Sequence, residues 1–151
     1  MKLAEALQER ADLNRKIEQL QDRLSNNVLV QEGEQTAEDP EKLKDELDSA
    51  ILRLAALIAQ INQTNCTTIV EGRTLTALIA RKDALSLKIR LYKEIASTAS
   101  QTTYRARNTE IKIKSTISVA DWQAESDQMS KELRLVDNQL QQSNWNTDLI
   151  E

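Results

Sequence analysis

The sequence predicts a mainly α protein: four long amphipathic helices, packed as an antiparallel bundle or as paired helical hairpins, with a small β-hairpin or β-ribbon element. Three observations predict it. Only two of the 151 residues are Gly and one is Pro, whereas a sandwich or barrel needs many turn formers and long helices need almost none. Hydrophobic residues make up 40% of the chain but aromatics only 3%, with no Phe, so Leu, Ile, Val and Ala must fill the interior of a single domain of common size. Finally, apolar residues recur at alternating steps of three and four in four separate segments, which keeps them on one stripe of a helix.

The first segment, residues 2–26, carries Leu3, Ala6, Leu13, Ile17, Leu20 and Leu24, and Arg10 interrupts it. The second, 40–63, carries Leu43, Leu47, Ala50, Leu54, Leu57 and Ile61, broadened by Ile51 and Ile58. Asp39-Pro40-Glu41 opens it with a capping carboxylate, a proline suited to the first helical position and an acid in the first turn. The third, 74–100, runs Leu75, Leu78, Lys82, Leu85, Ile89, Tyr92, Ala96, Ala99, with Thr74 placed to cap it after Gly72. The fourth, 119–143, runs Val119, Trp122, Ser126, Met129, Leu133, Val136, Leu140, and Ser118 with Asp121 resembles a capping box. Each segment makes roughly 37 Å of helix. Between the third and fourth, Thr109, Ile111, Ile113, Ser115 and Ile117 alternate with Glu110, Lys112, Lys114 and Thr116, a period of two that reads as a strand over 109–117. Since a lone strand is unstable, β-prone pieces at 27–31 and 67–71 are its expected partners, within the chain or between copies.

The chain has no histidine and one cysteine. Ser-His-Asp and Cys-His catalysis, His/Cys zinc sites and Glu-x-x-His di-iron sites are thereby excluded, and glycines at 33 and 72 alone cannot form a phosphate loop. No cofactor is expected. Cys66 follows the second helical segment, where the helix dipole opposes a thiolate, so it reads as structural. Glu41, Asp45 and Asp48 share a helix face, and Glu132 and Asp137 lie on the fourth helix. A carboxylate-held Mg²⁺ or Mn²⁺ hydrolase is one alternative, although the first three acids fall opposite the Leu43/Leu47/Ala50 stripe and should face solvent.

The net charge of −4 is unevenly spread. Residues 31–50 carry eight acids against two bases, 73–114 ten bases against three acids, and 121–151 seven acids against two bases. Either basic and acidic helices neutralise one another, or the basic segment meets phosphate. Tyr104, Arg105, Arg107, Lys112 and Lys114 are the candidate nucleic-acid or phosphate contacts, a reading that ranks below self-association. Arg10 and Lys82 occupy seam positions where a polar residue can fix register, with Glu9 and Asn14 as neighbours of Arg10, or where a long stem can bend outward to keep its charge wet. The apolar ending, with Trp145, Leu149 and Ile150, needs somewhere to dock, and a homo-oligomer is the simplest account. With one Cys, a charged N-terminus and no run of about 20 apolar residues, a cytosolic protein without membrane contact is expected.

The stretches MKLAEALQERADLNRKIEQL, LVQEGE…EDP, INQTN, GRTLTALIARKDAL and KELRLVDNQLQQSNWNTDLIE together resemble a family of small bacterial proteins of unknown function, some of which carry the name septicolysin. The resemblance covers nearly the whole chain. The name implies a thiol-activated cytolysin, but such toxins are much larger and carry their Cys in a Trp-rich segment, and Cys66 has no Trp near it in sequence. The sequence therefore points to a non-enzymatic interaction protein.

Overall fold

The computed structural model describes residues 1–102 and 111–151. Along them follow α1 (Leu3–Asn27), α2 (Pro40–Thr67), β1 (Ile69–Val70), β2 (Arg73–Thr74), α3 (Leu75–Ala99) and α4 (Val119–Asn146). The protein is mainly α with a small antiparallel ribbon. The chain divides into two compact units, Met1–Thr74 with Ser143–Glu151, and Leu75–Gln142.

In the first unit α1 and α2 pack as an antiparallel hairpin. Leu3, Ala6 and Leu20 on α1 and Leu43, Ala50, Leu57 and Ile61 on α2 are buried, so the three-four spacing becomes an interface. Each fully buried leucine contributes about 2 kcal/mol. Ile51 and Ile58 do not broaden this stripe; they remain 47% and 38% exposed, because at about 100° per residue each lies well round the helix from its buried neighbour. Asp39 opens α2 by accepting from Glu41 N–H at 3.0 Å. Two ion pairs bridge the hairpin: Arg53 donates to Glu9 at 2.6 and 2.8 Å, and Arg23 to Glu38 at 3.0 and 2.5 Å. These hydrogen bonds hold the Glu9 and Glu38 carboxyls below their ordinary values, and Lys2 does the same for Asp148. A carboxyl lowered on folding stabilises the protein above its unfolded value, and that contribution is lost as pH falls through the folded value. The melting temperature should stay level from neutrality to the ordinary carboxylate range and drop below it. Glu9→Gln should blunt the drop slightly, the pairs being exposed.

The β-prone stretch 27–31 is not a strand. Asn27 ends α1 and is buried, its Nδ2 donating to Arg23 O at 2.8 Å and its Oδ1 accepting from Glu38 N–H at 2.9 Å. Val28, Leu29 and Val30 then run out exposed toward Gly33, whose φ is +87°. Nor does 67–71 pair with them or with 111–117. Glu71 and Gly72 both have positive φ, +48° and +79°, which makes a two-residue turn of the type that matches strand twist. Ile69 therefore pairs with Thr74, and Val70 with Arg73. The shortest loop closes the ladder at the smallest entropy cost. Residues 111–117 lie in no strand of this ribbon, and 109–110 fall outside the described residues. An added Cβ at Gly72 meets no neighbour, so Gly72→Ala should cost about 1 kcal/mol in a denaturant melt through the left-handed backbone alone.

The chain's ending also docks at home. Leu3 N–H donates to Thr147 O and Leu149 N–H to Met1 O, both at 2.9 Å, as an antiparallel bridge of Lys2 with Asp148. Lys2 Nζ stands 2.8 Å from Asp148, and Ile150 N–H donates to Thr64 Oγ1 at 3.0 Å. Leu149 is buried, while Trp145 stays half exposed. The expectation that this segment seeks another copy is corrected for Leu149: an intramolecular clasp covers it.

In the second unit α3 and α4 run antiparallel. Tyr92 and Trp122 rings lie 4.7 Å apart, tilted by 40°, and Lys82 Nζ reaches Asp137 at 2.6 Å. Leu75, Leu78, Ile89 and Ala96 of α3 and Ser126, Met129, Val136 and Leu140 of α4 are buried. Ser118 Oγ accepts from Asp121 N–H at 3.3 Å at the start of α4.

Candidate interaction site

α3 is apolar on two sides. Its inner stripe is the buried series. On the opposite side Ala77, Ala80, Ala84, Leu87 and Leu91 succeed one another at steps of three, four, three and four, and every one is exposed, Leu87 at 49% and Leu91 at 41%. With Ile95 alongside, also exposed, the strip covers some 27 Å of helix. A surface helix normally pairs one apolar face with a polar one, so a second three-four seam facing water signals an unmet packing surface.

The strip runs into a groove of about 490 Å³ at the C-terminal end of α3, walled by Glu94, Ile95, Thr98 and residues 113–117 of the connection to α4. Ile95 and Ile113 line it with apolar surface, and Lys114 and Glu94 bring opposite charges to it. Charged groups edge the helix strip as well. Asp83 and Arg90 stand along one side, Arg90 Nη1 being 3.5 Å from Glu94. Lys88 and Arg81 stand along the other, Lys88 Nζ 5.3 Å from the Tyr92 ring centre and Arg81 3.7 Å from Glu132.

The residues singled out by sequence are scattered. Tyr104, Arg105 and Arg107 lie outside the described residues, and Lys112 and Lys114 are exposed. Arg10 is half buried on α1, but Glu9 turns to Arg53 and Asn14 is exposed. Lys82 sits in the α3 series yet keeps its side chain 39% exposed while bonding Asp137. A charge held this way, at the rim of a seam, contributes little. Lys82→Met should therefore shift the melting temperature by no more than a degree or two. Cys66 is not beyond α2 but in its last turn, with its side chain exposed. Of the carboxylates, Glu41, Asp45 and Asp48 are exposed and Asp48 pairs with Lys44 at 3.0 Å, while Asp137 and Glu132 face Lys82 and Arg81. Among the described residues no three of His, Cys, Asp or Glu gather as metal ligands, and no helix is long and apolar enough to cross a membrane.

The outer α3 strip was missed because two three-four series overlap in one segment. The signal was present: Ala77-x-x-Ala80-x-x-x-Ala84-x-x-Leu87-x-x-x-Leu91 has the same spacing as the inner series, and alanines weaken it.

This geometry defines a class: a helical-hairpin protein that presents an exposed apolar face on one of its helices. Within that class the chain belongs to a family of unknown function, DUF6847, which matches residues 10–149. It is similar to a functionally unknown conserved protein from Corynebacterium diphtheriae whose crystal structure is known, with 35% identity over 99% of each chain and a TM-score of 0.92. No curated protein matches it.

Proposed function

We propose that this is a cytosolic, non-enzymatic interaction protein that works as a homo-oligomer, assembled through the outer face of α3. The observation that carries this reading is the second three-four seam, Ala77 to Leu91, left facing water on a helix whose other side is already packed. Covering an apolar seam is the main driving force for helix association. Sedimentation velocity over a dilution series from about 1 µM to about 0.5 mM, the range where a seam of this size titrates, should show mass rising above that of one 17.1 kDa chain. The double variant L87E/L91E should remain monomeric with an unchanged helical circular dichroism spectrum. A wild-type protein that stays monomeric throughout defeats the reading.

A second reading places an anion, a nucleic-acid backbone included, beside the groove, because Lys112 and Lys114 are exposed and Lys114 lines it. Retention on RNA or heparin that weakens with salt, and that K112E/K114E abolishes, is the result it requires. A Mg²⁺- or Mn²⁺-dependent hydrolase has no such support, since Asp48, Glu132 and Asp137 stand beside cationic side chains. No lytic activity is taken from the septicolysin name, because Cys66 has no tryptophan near it in sequence.

A further inference from the structure

We infer that two copies pair through α3 in an antiparallel register that sets Leu87 against the partner's Ala84 and Leu91 against the partner's Ala80. The inference rests on the self-association reading above and adds a particular geometry to it. The exposed seam is graded in size: Ala77, Ala80 and Ala84 occupy its N-terminal half, Leu87 and Leu91 its C-terminal half. Parallel pairing would stack leucine on leucine at one end and leave alanines facing across a gap at the other. Antiparallel pairing about a two-fold axis places each large side chain over a small one, and the interhelical distance stays even along the seam. Close packing without voids favours the second arrangement.

Charge selects the same register. In an antiparallel helix pair, like edges of the seam meet. The edge bearing Asp83 and Arg90 therefore meets itself, and with Leu87 over the partner's Ala84 each Asp83 falls opposite the partner's Arg90. The symmetry produces this ion pair twice. Sliding the helices by one heptad would set Arg90 against the partner's Arg90 at the axis. The other edge brings Lys88 near the partner's Arg81. These cations, like Arg90 beside Glu94, have partners in their own chain, Lys88 over the Tyr92 ring and Arg81 beside Glu132, and the one-heptad slide would add a Lys88–Lys88 contact to the Arg90–Arg90 one. Size and charge thus pick one alignment from independent features of the helix.

Charge reversal tests it. D83R sets like charges opposite one another at two places and should weaken dimerisation at least about fivefold, as should R90D, whereas D83R/R90D should restore the wild-type dissociation constant. L87E/L91E serves as the reference that abolishes the dimer. Circular dichroism controls for folding, and all four positions are exposed. If the single reversals leave the dissociation constant unchanged while L87E/L91E abolishes assembly, this register is wrong and self-association through α3 stands. Single reversals that weaken the dimer without recovery in the double variant also overturn the register. A wild-type protein that is monomeric at every concentration removes both.

Discussion

Leu57→Ala should lower the unfolding free energy by about 3 kcal/mol, whereas Leu52→Ala on the same helix should change it by less than about 0.5 kcal/mol. Leu57 is completely buried and Leu52 is 75% exposed. The two substitutions remove the same atoms, so the difference isolates burial. At Leu57 the protein loses the transfer free energy of three carbons and gains a cavity that the α1–α2 interface, fixed by Leu3, Leu20 and Ile61, can only partly close. At Leu52 the removed atoms were already in water, and Ala is the better helix former. Urea melts followed by circular dichroism should show the midpoint falling for Leu57→Ala with its slope unchanged, and no movement for Leu52→Ala. Equal losses at both positions would mean that α2 does not present one face to α1.

Deleting residues 147–151 should cost a similar amount, about 3 kcal/mol. Burial of Leu149 contributes roughly 2 kcal/mol, and each of the bonds from Leu3 N–H to Thr147 O, Leu149 N–H to Met1 O and Ile150 N–H to Thr64 Oγ1 adds about 1 kcal/mol net, offset by the entropy of ordering the segment. Thr64 is the sharper probe. It is fully buried, its hydroxyl donating to Gln60 O at 2.8 Å and accepting from Ile150 N–H. Thr64→Val keeps the shape and removes the acceptor, leaving the Ile150 amide unsatisfied at about 1–2 kcal/mol. In the truncated protein Thr64→Val should be close to neutral, because its partner is gone. This double-mutant cycle assigns the coupling to the clasp. The same truncation should leave self-association intact, since the seam on α3 contains none of the deleted residues.

The ending was expected to dock on another copy, and the structure docks it on the chain's own start instead. Leu149 and Ile150 looked unpartnered because nothing in a linear chain says that residue 149 meets residue 1. The clasp is made largely of backbone N–H and C=O groups, which every residue carries, so composition cannot announce it. The seam on α3 had a legible signal, but one series of side chains was enough to satisfy a helix, and the second was hidden inside it. The buried polar residues follow a related rule. Asn27 and Thr64 are of residue types mostly found at surfaces, and the structure buries them, as it buries Ser126 of the fourth series, because each finds a backbone partner: Arg23 O, Gln60 O and Trp122 O.

The helices themselves were decided locally. A three-four spacing of Leu, Ile and Ala fixes one face of a rod whatever lies beside it, and Asp39-Pro40 sets the start of α2 through bonds that span two residues. Histidine-dependent chemistry was settled by composition alone. Ladder partners, the docking of the chain's ending and the choice of which apolar face of α3 is buried were settled only in three dimensions. Each of these is a competition between surfaces that are chemically alike, and what decides it is which of them come close enough to exclude water.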